Sequence, residues 1–453
     1  MIKRLVILGA LGDLATRHLL PALGCLLSHG CLPPMLCFIG VGREPLTRQA
    51  YQEIADLQLV KHAPDVSPAD RNNLVGRLDY IQADLGQQPS LRTALGGEPV
   101  VAYLALPPTI YPAAVCALRA GGLTPGSRIV VEKPFGVDLA SSRELSRLLH
   151  AAVGEQNVFR VDHFLYHQSV QDLLALRFAT PIFQTLWHRD HLERVEITWE
   201  ESTGVKGRAE FYDGTGALKD MIQSHLLQIL ALVAMEQPKK FDKYCLRDEK
   251  AAILRQVRIL GANEVATRTA RGRYTGGTIQ DQSLRSYVEE NGVDPFRNTE
   301  TYAYLQLAVD TPRWRDVPFV LRTGKALGEP CRRITLHFRT TPELVLAGTS
   351  PLLFIQMAPD RIVIELPAAA SSGLPATVPV QLEVSRFRQL MPASARILRD
   401  VLLGDPTFMV RGDEAEHCWR IVDAVLDTWQ TGIPPLQSYA AGSAGPRLPS
   451  IQT

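Results

Sequence analysis

The sequence lacks a surplus of either charge: 48 Lys and Arg stand against 47 Asp and Glu in 453 residues, a formal net charge of +1. Such a balance carries neither the basic patch of a nucleic-acid binder nor the acidic run of a solvated tail, so no nucleic-acid partner is expected. Long apolar runs are missing too. Nothing approaches the ~20 uninterrupted apolar residues of a membrane span, and no membrane partner is expected. The opening segment Ile2-Lys3-Arg4-Leu5-Val6-Ile7-Leu8 is too short for a signal-peptide core and runs straight into a glycine turn, which predicts a cytoplasmic protein. The seven cysteines (Cys25, Cys31, Cys37, Cys116, Cys245, Cys331 and Cys418) include no CxxC pair and have no neighbouring His cluster. That pattern excludes a zinc site or a disulfide framework, so no metal is expected and all seven should be reduced. Internal repeats are absent as well.

Hydrophobic residues make up 46% of the chain, enough for two sizeable cores. Short apolar runs at Leu5–Leu8, Leu36–Gly40, Val100–Leu104 and Arg128–Val131 alternate with helix-like stretches, the pattern of a doubly wound parallel sheet. After Asn157 the pattern changes. Helical segments Ser169–Phe178 and Gly214–Met235 accompany strands Arg194–Trp199, Tyr302–Val309 and Arg333–Phe338, whose alternation suits an antiparallel sheet. The expectation is α/β plus α+β: a Rossmann-like dinucleotide-binding domain over residues 1–157, then a larger domain with an antiparallel sheet over 158–453. The Pro- and Gly-containing tail from Gly432 reads as a loosely structured finish over the surface.

The first strand runs into Gly9-Ala10-Leu11-Gly12-Asp13-Leu14-Ala15, where backbone N–H groups at a helix start can hold a pyrophosphate. GxxG spacing without the full GxGxxG is also compatible with an ordinary tight turn. Gly40-Val41-Gly42-Arg43 ends the second strand with a guanidinium at the adenine ribose and no acidic residue to grip a 2′-hydroxyl. That favours NADP over NAD, with a plain surface arginine as the alternative. Leu106 and Pro107 follow a strand end that can line the nicotinamide pocket. Lys133 ends the next strand beside Pro134, placed to donate to a substrate or cofactor oxygen, although many such lysines are simply solvated.

Together with Arg160-Val161-Asp162-His163-Phe164-Leu165, Tyr212-Asp213-Gly214-Thr215-Gly216-Ala217-Leu218-Lys219-Asp220-Met221-Ile222-Gln223-Ser224-His225 and Val317-Pro318-Phe319-Val320-Leu321-Arg322-Thr323-Gly324-Lys325, these segments resemble the glucose-6-phosphate dehydrogenase family, in the family's order from Leu5 to Tyr439. The resemblance implies NADP-dependent oxidation of a cyclic hexose at C1, and a homodimer or homotetramer built through the large sheet. It implies His225 as the base that takes the C1 hydroxyl proton and Asp162 as its carboxylate partner. A histidine suits that task because its unperturbed pKa is near neutrality. His225 read alone, in an apolar helix, could equally be a satisfied core histidine. The substrate-binding set implied is Lys133, His163, His167, Glu201, Asp220 and Lys325. The implied cofactor set is Gly9, Gly12, Asp13, Leu14, Arg43, Leu106, Pro107 and Lys133. Asp220 and His225 are five apart, about 140° around an ideal α-helix, so they can address one sugar only if the helix is loosely wound at its start.

The chain departs from the family at the phosphate pocket. Where the family reads Asp-His-Tyr-Leu-Gly-Lys-Glu, this chain reads Asp162-His163-Phe164-Leu165-Tyr166-His167-Gln168, and Pro330 stands where a second basic residue is common. A phenol and a permanent cation are gone, and Tyr166 adds bulk where glycine left space. Arg332, Arg333 or Arg386 could restore a cation. Three readings follow: glucose 6-phosphate oxidation with a rebuilt pocket, C1 oxidation of an unphosphorylated or modified sugar, or a silent nucleotide-binding regulator. Retention of the whole set from Lys133 to Lys325 argues against the last.

Overall fold

A computed structural model describes residues 2–85, 91–205, 207–340, 350–369, 377–384 and 391–452. Two compact units emerge. The first comprises Met1–Tyr166, Lys240–Arg247 and Gln389–Glu416, and the second His167–Lys239, Asp248–Arg388 and His417–Thr453.

The first unit is built on a six-stranded parallel sheet of β1 (Arg4–Leu8), β2 (Cys37–Gly42), β3 (Leu78–Gln82), β4 (Val100–Leu104), β5 (Arg128–Glu132) and β6 (Val158–Val161), in the order β3-β2-β1-β4-β5-β6. Leu5, Val6, Ile7 and Leu8 are all buried, as are all residues of β4, because helices cover both faces and apolar side chains are needed on each. The chain reverses between β1 and β4, the crevice where such sheets bind ligands. The units do not divide at a single cut after Asn157. Strand β6 pairs with β5 in the parallel sheet, and helix Ala393–Leu403 packs on helix Leu20–Ser28 in the same unit.

The second unit contains β7 (Leu192–Glu200), β8 (Thr269–Thr275), a small hairpin of β9 (Gly277–Ile279) and β10 (Gln282–Leu284), then β11 (Tyr302–Leu307), β12 (Phe319–Gly324), β13 (Cys331–Phe338), β14 (Leu352–Met357), β15 (Asp360–Ala369), β16 (Thr377–Val384) and β17 (Leu436–Ala440). Apart from the hairpin, these form a nine-stranded sheet in the order β16-β15-β14-β13-β7-β12-β11-β8-β17. Its pairs are antiparallel except β7 with β12 and β8 with β17.

The tail is therefore not a loose finish. Leu436–Ala440 adds a parallel edge strand to β8, and Tyr439 is buried, its hydroxyl bonded to the Lys325 carbonyl at 2.7 Å and to the Thr301 hydroxyl at 2.8 Å. Among the described residues, no helix is long and apolar enough to cross a membrane, and no group of His, Cys, Asp and Glu could hold a metal ion. Among the described residues no disulfide joins any of the seven cysteines.

Candidate active site

In the first unit the glycine turn closes on the neighbouring strand. Gly9 and Ala10 donate their N–H groups to the Val41 carbonyl at 2.9 and 3.1 Å, and Gly9 adopts φ +86°. A Cβ at Gly9 would lie 2.2 Å from the Ala105 carbonyl oxygen, so only glycine lets the two loops meet. Thr16 is buried and donates to the Gly12 carbonyl at 3.0 Å, so it closes the turn.

Above the turn is a cavity of about 590 Å³ to which Gly9, Gly12, Arg43, Leu106 and Pro107 all contribute. Asp13 and Leu14 are not in its wall, and Asp13 instead pairs with Arg17 at 3.2 Å on the exposed helix start. One acidic residue does stand at the end of β2: Glu44 lines the cavity beside Arg43. Reading the strand end as free of acid missed it because the strand stops at Gly42, two residues short of Glu44. A bare glycine loop, an adjoining apolar wall and an exposed arginine fit a dinucleotide.

At the ends of β5 and β6 the same unit places a second cluster. Asp162 is 1% exposed, and its Oδ1 accepts the Phe164 N–H at 2.9 Å, which turns the chain into a short 3₁₀ segment, His163–Tyr166. The His163 ring is 3.2 Å from Glu132, whose other oxygen accepts the Tyr103 hydroxyl at 2.5 Å. Burial pulls the His163 pKa down, but the hydrogen bond and charge of Glu132, with the charge of Asp162, outweigh it, and the net direction is upward. Glu132, directly before Lys133, was not singled out from sequence; only its place beside His163 shows its use. Tyr166 is held in the core of the first unit. It is buried, donates to Asp400 Oδ2 at 2.9 Å, packs edge-on against Phe408 and accepts Arg396 at its carbonyl.

Lys133 follows β5 in the first unit; the second unit carries His167 at the start of helix Gln168–Ala179, Asp220 and His225 on one helix, and Glu201 and Lys325 at the ends of adjoining strands. Leu218–Leu226 is a π-helix, continued by the α-helix Leu227–Ala234 and packed on β7, β11 and β12. In a π-helix the hydrogen bond runs from residue i to i+5, so Asp220 and His225 fall one turn apart on one face. The expected helix Gly214–Met235 is thus two helices of different pitch.

Both ends of this element are tied. At the start, Glu300 accepts the Leu218 N–H at 2.9 Å and its carbonyl accepts the Ala217 N–H at 3.1 Å. Gly216 lies so close that a Cβ there would approach Glu300 Oε1 to 2.5 Å. Burial pushes the Glu300 carboxyl up to about 7. At the far end, Trp187 and Trp314 donate to the Val233 and Ala234 carbonyls at 2.9 and 2.7 Å, and Arg177 to Leu232 at 3.1 Å. These bonds satisfy carbonyls that a buried helix end would otherwise leave open. His225 is 3% exposed.

Glu201 and Lys325 form an ion pair at the ends of β7 and β12. Their backbones are joined as well: the Glu201 N–H donates to Gly324 at 2.9 Å and the Lys325 N–H to Thr301 at 3.0 Å. His167 packs its ring 5.7 Å from that of Trp199. Of the cations proposed as replacements, Arg333 stacks on Phe354, Arg332 lies beside Trp199 and Glu201, and Arg386 falls outside the described residues.

Two family models cover nearly the whole chain: "Glucose-6-phosphate dehydrogenase, NAD binding domain" matches residues 6–172, and "Glucose-6-phosphate dehydrogenase, C-terminal domain" matches residues 174–450. The chain belongs to the glucose-6-phosphate dehydrogenase family. Membership makes it an oxidoreductase whose first unit is a nicotinamide-dinucleotide-binding domain. The glucose-6-phosphate 1-dehydrogenase of Gluconobacter oxydans (strain 621H) is 36% identical over 97% of this chain and 94% of its own. That of Bacillus subtilis (strain 168) is 33% identical over 98% and 95%. Among solved structures, a glucose-6-phosphate dehydrogenase in complex with glucose-6-phosphate superposes with a TM-score of 0.88 at 28% identity, over 98% of this chain and 96% of that one. The Mycobacterium avium glucose-6-phosphate 1-dehydrogenase gives 0.86 at 32% identity, over 98% and 95%.

Proposed function

We propose that this family member oxidises the C1 hydroxyl of glucose 6-phosphate to the lactone with NADP. The observation that carries the reading is the π-helical turn holding Asp220 and His225 together, in a chain that matches the family along its length. His225 takes the hydroxyl proton as the C1 hydride leaves, and Asp162 orients the imidazole and stabilises the imidazolium that forms. NADP, when bound, supplies the hydride acceptor. Glu201 and Asp220 accept hydrogen bonds from sugar hydroxyls, while Lys133 and Lys325 donate to sugar oxygens. His163, its pKa raised beside Glu132, and His167 serve the 6-phosphate.

Gly9 and Gly12 hold the pyrophosphate end of the cofactor, joined by the backbone N–H groups of Asp13 and Leu14 at the helix start, while Leu106, Pro107 and Lys133 border its nicotinamide end and Arg43 receives the 2′-phosphate. Glu44 beside Arg43 can accept the 2′-hydroxyl of NAD, which gives NAD a lesser but real place. We place the protein in the cytoplasm as a homodimer or homotetramer assembled through the large sheet, where strand β14 alternates buried with half-exposed residues.

The test is NADPH formation with a panel of hexoses and hexose phosphates. Glucose 6-phosphate should have the highest kcat/KM. Preference for an unphosphorylated or amino-substituted sugar would overturn the substrate assignment, and no turnover of any aldose would overturn the enzymatic reading.

A further inference from the structure

We propose that Arg332 supplies the charged hydrogen bonds to the substrate phosphate that His167 and Pro330 no longer guarantee. The inference rests on the reading above that the substrate is a hexose 6-phosphate. Arg332 stands on β13 directly across from Trp199 on β7, and its guanidinium carbon lies 5.0 Å from the Trp199 ring centroid. His167, which replaces the family's lysine in the phosphate motif, packs against the same ring. A permanent cation and the position from which one was lost thus contact the same ring.

Two features show that this cation is not consumed by the protein. Its terminal nitrogen is 3.6 Å from Glu201 Oε1, an ion-pair distance but too long for a hydrogen bond, and Glu201 already pairs with Lys325 through its other oxygen. The Arg332 Nε is buried with no hydrogen-bond partner among the described residues. The side chain is 33% exposed, so the terminal N–H groups rather than the buried Nε are the donors open to a phosphate monoester, with the Trp199 ring beside them. Arg333 cannot substitute, because successive residues of a strand face opposite ways and it is stacked on Phe354.

The experiment compares the parent with Arg332→Met, which keeps a long stem over Trp199, and Arg332→Lys, which keeps the charge without the fork. Glucose 6-phosphate affinity is read by calorimetry, and kcat/KM on glucose 6-phosphate and on glucose. A charged hydrogen bond contributes about 1.5–3 kcal/mol, so R332M should weaken glucose 6-phosphate binding by about tenfold to 150-fold. The ratio of kcat/KM between the two sugars should fall by a similar factor, with partial recovery in R332K.

Equal losses on both sugars would show that Arg332 only supports Trp199 and Glu201, and would overturn the inference, as would unchanged glucose 6-phosphate affinity in R332M. If the parent oxidises glucose 6-phosphate and R332M does so equally well, the inference alone fails. If glucose 6-phosphate binds through Arg332 but is not oxidised, the proposed function alone fails. A parent that does not bind it overturns both.

Discussion

Asp220 and His225 are five residues apart and occupy one turn of the π-helix Leu218–Leu226. In an α-helix the pair would diverge by about 140°. The i to i+5 pattern narrows that divergence and sets the two on one side of the helix, as their proposed roles at one sugar require. Asp220→Ala should therefore raise KM by about tenfold or more through a lost charged hydrogen bond, with a smaller change in kcat. Steady-state kinetics on glucose 6-phosphate check this, and an unchanged KM would remove Asp220 from the sugar site.

Glu300 anchors the start of that helix with a buried carboxyl raised to about 7, above its ordinary value of 4.5. Burial is the main cause, partly opposed by the Leu218 N–H and by the charges of Arg271 and Lys219. A raised carboxyl keeps its proton in the folded state after the unfolded chain has lost it. Its contribution to stability is therefore full below about pH 4.5 and is lost as pH rises to about 7. Relative to Glu300→Gln, which cannot ionise, the parent should lose up to about 3 kcal/mol across that window. Denaturant unfolding at pH 5 and 7.5 reads the difference, and parallel curves for the two proteins would contradict it.

Tyr166 belongs to the core of the first unit, although its place in the phosphate motif marked it as an obstruction. Tyr166→Phe leaves Asp400 without the bond at 2.9 Å and should cost about 1–3 kcal/mol in urea unfolding. Preference for phosphorylated over unphosphorylated sugar should not move. A shift in that preference would return Tyr166 to the phosphate site.

Arg43 and Glu44 line one cavity beside the end of β2, and in the proposed reading they select in opposite directions. Arg43→Ala should weaken NADP by about tenfold or more and NAD much less, whereas Glu44→Gln should raise the preference for NADP several-fold. Equal effects of R43A on both nucleotides, measured by KM, would contradict the assignment of Arg43 to the 2′-phosphate.

What was legible in the sequence follows from where side chains go. The runs Leu5–Leu8 and Val100–Leu104 are buried on both faces, and continuous apolar strands announce a parallel sheet. Gly9 was legible because a turn against Ala105 tolerates no Cβ. The tail strand Leu436–Ala440 was not. Its half-exposed residues carry no strong pattern, and only pairing with β8 orders them. Glu132 and Glu44 were missed for a related reason: their meaning comes from His163 and from the cavity wall, which sequence spacing does not bring near. The π-helix was anticipated only as loose winding, since pitch depends on ties at Glu300, Trp187 and Trp314 that are distant in sequence.

The most direct test is the rate of NADPH formation from glucose 6-phosphate by the parent and by His225→Asn. General-base catalysis contributes about 10²–10⁴-fold, so the variant's kcat should fall by that factor while the parent turns over readily. A variant within about tenfold of the parent, or a parent that forms no NADPH, would contradict the assignment of His225 as the base of a glucose 6-phosphate dehydrogenase.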